Sequence, residues 1–142
     1  MAPAAQAQTV PAAPAVSDPD ALANDFFDSL KLGKTDVALK ILATGSAMLG
    51  KKIEENPQLE TQIDRATEVY GPVVRWERVH SETLGTMVRR DTYLVQHREI
   101  VTRWRFVYVR KPTGWIVGWF VFEDQMQNWF TPDPVTPMPT PQ

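Results

Sequence analysis

The chain is 142 residues long, 43% apolar and 23% charged, enough for one domain with its own core, and its net charge of −2 argues against a general nucleic-acid binder, which needs cations to neutralise phosphates. It has no cysteine, so a disulfide framework, a cysteine nucleophile and a thiolate metal site are excluded, and no apolar run approaches the ~18 residues of a helical membrane span. Charge is unevenly placed. Residues 18–70 carry six Lys or Arg against ten Asp or Glu, whereas 73–111 carry nine against four. Acidic helices packed on a basic sheet account for this, and a basic pocket for an anion is the functional alternative.

The opening, MAPAAQAQTVPAAPAV, is rich in Ala, Pro and Gln and lacks the basic and apolar regions of an intact signal peptide. Its AAQAQ stretch matches the small-residue ground around a leader cleavage site, so a periplasmic or secreted location is expected, with the cytoplasm as the alternative. Nine of the twelve prolines fall outside residues 20–130. Segments of that composition bury too little apolar surface to offset their ordering entropy. The expected organisation is an unstructured leader remnant at 1–17, one folded domain at 18–131 and a Pro-rich tail at 132–142.

Asp18 and Pro19 form an N-cap and first-turn pair, and Leu22, Phe26, Phe27 and Leu30 recur at helical spacing until Gly33. Thr35 is positioned to cap a second helix whose apolar stripe is Val37, Ala38, Ile41 and Leu42. After Gly45 a short helix carries Met48, Leu49 and Ile53. Asn56 and Pro57 then repeat the cap signature before Leu59, Ile63, Ala66, Val69 and Tyr70, and Gly71-Pro72 ends the helical half.

Beyond Pro72 the period shifts toward two, predicting strands near 73–80, 86–97, 100–110 and 114–122. RKPTG at 110–114 reads as a hairpin turn. Helices first and an antiparallel meander second predict an α+β domain, helices on one face of a curled sheet. In the third strand Trp104, Phe106 and Tyr108 share one face, and Arg103, Arg105, Val107 and Val109 the other. The fourth strand is apolar at both parities, which calls for cover on both faces: a second copy, forming a homodimer through the sheet, or the tail. Gly118 is the place for a bulge in it. Asp124–Phe130 predicts a last helical turn over an edge.

With its paired N-terminal helices, LETQIDRATEVYGPV, SETLGTMVRRDTYLVQH and WRFVYVRKPTGWIVGWFVFED, the chain resembles the NTF2-like and SnoaL-like superfamily of cone-shaped, cystatin-like domains over residues 20–130, especially its small exported bacterial members of undefined function. The resemblance implies a pocket between the helices and the concave sheet, and dimerisation through the sheet's back. Ketosteroid isomerase-like members use a carboxylate base with a tyrosine and a protonated acid, and dehydratase-like members a His–Asp pair. Here the weak catalytic candidates are Asp64, Asp91, His80 and His97, alongside Glu68 and Asp124, and none lies in a transferable motif.

Asp91 follows Arg89 and Arg90, and a paired carboxylate is a poor base. His80 and His97 share no metal-ligand spacing, so no metal and no cofactor is expected; both histidines read as surface or pocket-rim residues. The aromatic set Tyr70, Trp76, Tyr93, Trp104, Phe106, Tyr108 and Trp115 remains. It is either a core of bulky rings or the lining of a small-molecule site. The reading it favours is a non-catalytic accessory domain holding a small, partly apolar ligand or a peptide in an aromatic-lined cavity. An acid–base isomerase or dehydratase and a structural dimerisation scaffold are the alternatives.

Overall fold

The computed structural model describes residues 15–130 and shows four helices followed by a four-stranded antiparallel sheet. Helix α1 is Pro19–Lys31, α2 Thr35–Leu42, α3 Ala47–Glu54 and α4 Gln58–Tyr70. Asp18 caps α1 by accepting from the Asp20 N–H, Pro19 occupies the first turn, and Leu22, Ala23, Phe26, Phe27 and Leu30 form the buried stripe. Ser46 caps α3 in the same way through the Leu49 N–H.

Two caps differ from expectation. Thr35 is the first residue of α2 and gives its hydroxyl to Asp64 on α4 instead of capping, and α4 begins after Pro57 without a side-chain cap from Asn56. The buried face of α2 is Ala38, Leu39 and Leu42, with Val37 38% exposed. Met48 and Val69, predicted to lie on apolar faces, are exposed.

Strands β1 Arg75–Leu84, β2 Val88–Gln96, β3 Val101–Lys111 and β4 Gly114–Glu123 pair in the order β1-β2-β3-β4. β1 runs four residues further than the sequence suggests because the β1–β2 turn falls at Gly85–Met87. The expected turn between β3 and β4 is present. Two bulges interrupt the ladder: Val79 is extra in β1, and Gly118 is extra in β4, where Trp119 lies opposite Val107 and Val117 opposite Tyr108. Bulges of this kind bend the strand that carries them and increase its twist.

The second bulge resets which β4 side chains share a face, and both faces of the strand stay apolar. Trp115, Val117, Phe120 and Phe122 lie opposite Arg110, Tyr108, Phe106 and Trp104, and so share their face, while Ile116, Trp119 and Val121 join Val107 and Val109 on the other. The side-chain alternation changes phase at Gly118, and a Cβ there would sit 2.9 Å from a Val109 methyl.

The α1 face closes the core. Phe27 stacks on Phe106 with centroids 5.7 Å apart and planes 11° apart, and Phe26 meets Phe106 and Trp104 edge-on at 5.4 Å. Before α1, Val16 exchanges both backbone hydrogen bonds with Trp115, so the domain's first rung precedes the boundary of 18 read from sequence. This segment passes so close to two turns that both need glycine. A Cβ on Gly45 (φ +79°) would lie 2.8 Å from Ala15 Cα, and one on Gly114 (φ +141°) would collide with the Val16 carbonyl. After β4 a single 3₁₀ turn, Met126–Asn128, carries Trp129 onto the Arg103 guanidinium, 5.2 Å from the ring centroid. It covers part of the sheet's back, where a helical turn over an edge was expected. The expectations for residues 1–14 and 131–142 lie outside the described residues.

Candidate functional site

The residues singled out from sequence separate into three places. The first is a buried polar cluster on the inner face of β2. Asp91 is 0% exposed and takes a two-pronged bond from Arg89, Nε to Oδ1 at 2.9 Å and Nη2 to Oδ2 at 2.8 Å. The spacing of two within one strand puts both side chains on the same face, which is why Arg89 and not Arg90 is the partner. Ser81 donates to Oδ1 at 2.6 Å and the Tyr93 hydroxyl to Oδ2 at 3.2 Å.

The Tyr93 and Tyr108 hydroxyls are 3.3 Å apart, and Tyr108 donates to the Pro19 carbonyl at the start of α1. Asp20 receives Arg78 at 2.7 Å and Arg89 at 3.2 Å, so the acidic helix and basic sheet meet here as the charge split suggested. Asp91 thus has both oxygens engaged and no room to act as a base. Burial first pushes the Tyr93 and Tyr108 phenols well up from their ordinary value near 10; the hydrogen bond between them then lowers Tyr93 and raises Tyr108, and the nearby Asp91 charge raises both.

A folded-state pKa raised in this way stabilises the fold fully below about pH 10 and loses that contribution as pH rises above it, because the unfolded chain then releases protons that the native state retains. The Tyr70 phenol is also raised, by its hydrogen bond to Asp124 first. In a Tyr70→Phe variant, phenolate absorbance is therefore expected to appear only together with loss of helical circular dichroism on alkaline titration. A phenolate component titrating near pH 10 in the folded protein would contradict this.

The second place is a brace between α4 and the sheet. His97, expected at the surface or a pocket rim, is buried: Nδ1–H donates to the Gly71 carbonyl at 2.9 Å, and Nε2 accepts from the Thr102 hydroxyl at 3.0 Å, whose oxygen accepts from Trp104 Nε1. With both ring nitrogens occupied, the side chain ties the end of α4 to β2 and β3. His80 is exposed beside Glu82, as read from sequence. Asp64 bonds to Thr35, and Glu68 is exposed. The catalytic candidates therefore do not converge, and among the described residues no group of three or more His, Asp or Glu could hold a metal ion.

The aromatic set also divides. Tyr93, Trp104, Phe106 and Tyr108 are buried, filled in by Phe26 and Phe27, and none of the last three lines a cleft. Under α1, the space between helices and sheet is occupied by the protein's own rings. Trp115 is half-buried under Arg110 and beside Val16. Trp76 and Tyr93 edge a shallow hollow of about 340 Å³ near Asp20 and Arg78, and Tyr70 lies at the mouth of another.

The third place lies between helices and sheet, where the resemblance implied a pocket, but at the edge of β4, and of the predicted aromatic set only Tyr70 reaches it. A cleft of about 370 Å³ runs between α3–α4 and the edge of β4 that faces away from β3, with Leu49, Ile53 and Leu59 on one wall and Gly118–Phe122 on the other. A second compartment of about 310 Å³ adjoins it, sharing Gln62 and Phe122 and reaching Arg65, Tyr70 and Asp124. Phe122 forms the floor, stacked on Trp104 at 4.5 Å. Lys52 is the one charged residue lining the first compartment. A larger hollow, about 730 Å³, lies between α2 and α3, but Asp36, Lys40, Lys51, Glu54 and Glu60 ring it with mixed charge. The β4 cleft combines apolar walls with a single charge in its first compartment, the usual make-up of a ligand site.

On the back of the sheet Arg103 and Arg105 both bond to Glu123, as strand parity predicted, and Trp119 is 50% exposed next to Val107. Burial and the adjacent Arg103 charge lower the Arg105 pKa.

No protein-family model matches the chain, and no curated protein matches it. Two solved structures resemble it. One, a Campylobacter jejuni protein described as an NTF2-like transpeptidase, is 17% identical with a TM-score of 0.52, covering 71% of this chain and 97% of its own. The other, a cystatin-like protein from Ruminococcus gnavus, is 15% identical with a TM-score of 0.48, covering 82% of this chain and 43% of its own. Helices followed by an antiparallel meander, packed around one aromatic core, give this chain the NTF2-like α+β fold.

Proposed function

We propose that the domain is a non-catalytic binding module that takes a partly apolar ligand in the cleft between α3–α4 and the edge of β4. The observation that carries this reading is the lining: apolar side chains from two helices face five consecutive strand residues, with Lys52 as the sole charge in the first compartment. The acid–base alternative has no comparable support, since Asp91 is sealed by Arg89, Ser81 and Tyr93 and the histidines lie elsewhere. What supports a homodimer through the back of the sheet is the exposed Trp119 beside Val107 and Val109.

Titration with the apolar fluorophore anilinonaphthalene sulfonate, followed by amide chemical shifts, tests the site. Shifts are expected at Ile53, Leu59 and Gly118–Phe122 and not at Val95, Phe106 or Tyr108. Replacing the half-buried pair as Ile53→Asp with Leu59→Asp should weaken binding by about tenfold or more, through lost apolar contact and repulsion of the sulfonate. Shifts centred on Phe26 and Phe106, or no binding by the folded protein, would reject the cleft.

A further inference from the structure

We infer that the ligand of this cleft is an extended peptide that adds as a fifth strand to the free edge of β4 and places a carboxylate against Lys52 and Arg65. The inference rests on the cleft being a binding site and narrows its ligand to one class. It begins with the backbone. β4 is the last strand in the order β1-β2-β3-β4, so one of its edges faces no strand of the sheet. Trp115, Val117, Phe120 and Phe122 lie opposite Arg110, Tyr108, Phe106 and Trp104, which are alternate residues of β3.

Alternate residues of an antiparallel ladder send their N–H and C=O to the same side. Trp115 sends both outward, to Val16, at 2.6 and 2.9 Å, so Val117, Phe120 and Phe122 aim theirs outward too. Among the described residues nothing bonds to the outward groups of Phe120 and Phe122. The Val16 rung demonstrates that this edge accepts an antiparallel partner, and an unpaired edge is a template for another strand.

The shape of the cleft agrees. Neighbouring strand residues point to opposite faces, so a hollow touched by all of Gly118–Phe122 runs along the edge and not across one face. Five such residues span about 17 Å, room for a peptide of similar length lying between the strand and the apolar wall of α3–α4.

Charge then selects the peptide. Neither Lys52 nor Arg65 has an ion-pair partner among the described residues. The carboxylates of the second compartment are already engaged, Glu123 by Arg103 and Arg105 and Asp124 by Tyr70. An acidic side chain or a terminal carboxylate on the peptide complements the two exposed cations. The chain's own preceding residues are poorly suited to extend the Val16 rung, because the residue that would face Val117 is Pro14, which has no N–H.

The test is selection of binders to the full chain from a random hexapeptide library with free terminal carboxylates, followed by amide shift mapping of the selected peptide. The peptide is expected to shift Phe120 and Phe122. N-methylation of its alternate nitrogens that face β4 should weaken it by about tenfold or more, while methylation of the intervening nitrogens should not. The Lys52→Glu, Arg65→Glu variant, altered only at exposed positions, should lose affinity by a similar factor, and added salt should weaken the wild type.

Failure to select any peptide that shifts Phe120 and Phe122, indifference to both methylation patterns, or concentration-dependent shifts at these residues without peptide, marking self-association at the edge, would each overturn strand addition. The fluorophore separates the two readings. If it occupies the cleft while no peptide does, strand addition alone falls. If neither binds, both fall.

Discussion

Arg89→Met is expected to lower the unfolding free energy by about 3–5 kcal/mol, because it leaves the Asp91 carboxylate buried with only neutral donors and Arg78 as company. Arg78 Nη1 lies 3.9 Å from Asp91 Oδ2 and is already committed to Asp20, so it compensates in part only. The adjacent Arg90→Met change removes an exposed pair with Glu82 and should cost less than about 1 kcal/mol. Urea denaturation of the two variants side by side measures the contrast. Equal losses would mean that the Asp91 cluster does not hold the sheet to α1 as described.

Phe106→Ala should cost about 3–5 kcal/mol, the range for deleting a buried ring from a core that collapses incompletely. Phe106 is fully buried and touches Phe26, Phe27, Tyr93, Trp104 and Tyr108, so the void opens at the centre of the aromatic cluster. Thermal unfolding followed by calorimetry reads the loss. A cost below about 1 kcal/mol would indicate that the rings surround space instead of filling it, and would restore the cavity that the sequence suggested.

The sequence reveals a feature where a local rule acts alone. β3 is regular, so alternation places Trp104, Phe106 and Tyr108 inside and Arg103 and Arg105 outside, and the structure agrees. Asp18 and Pro19 mark a helix start from two neighbouring residues. The Asp91–Arg89 pair is equally local, two positions apart on one strand.

Alternation cannot be carried across a bulge, so the sequence shows that β4 is apolar on both faces but not that Phe120 and Phe122, beyond Gly118, share a face with Trp115 and Val117. His97 precedes Arg98 and Glu99 and looks exposed, yet its partners are Gly71 and Thr102, the first of them 26 positions away. The cleft is the least legible element. It is a gap between α3–α4 and a strand edge, set by how closely two layers approach, and no run of residues encodes a gap. The aromatic richness that suggested a cavity instead reflects how much area six or seven rings bury when α1 lies on them.

The Val16–Trp115 rung also bears on the order in which the molecule assembles. Each β-strand pairs with its neighbour in sequence, so the meander can grow hairpin by hairpin through short loops. Val16, by contrast, must find a partner about 100 residues away, and closing so long a loop is entropically costly until the intervening chain is already compact. That rung is therefore a late arrival in folding. Held by two backbone bonds, the packing of Val16 on the core and the close fit against Gly45 and Gly114, it is a single rung at the end of the sheet and is expected to open before the long ladders. A strand that leaves early exposes the outward backbone of Trp115 and lengthens the usable edge of β4, so the chain's own entry segment sets how much of that edge a visiting strand finds vacant.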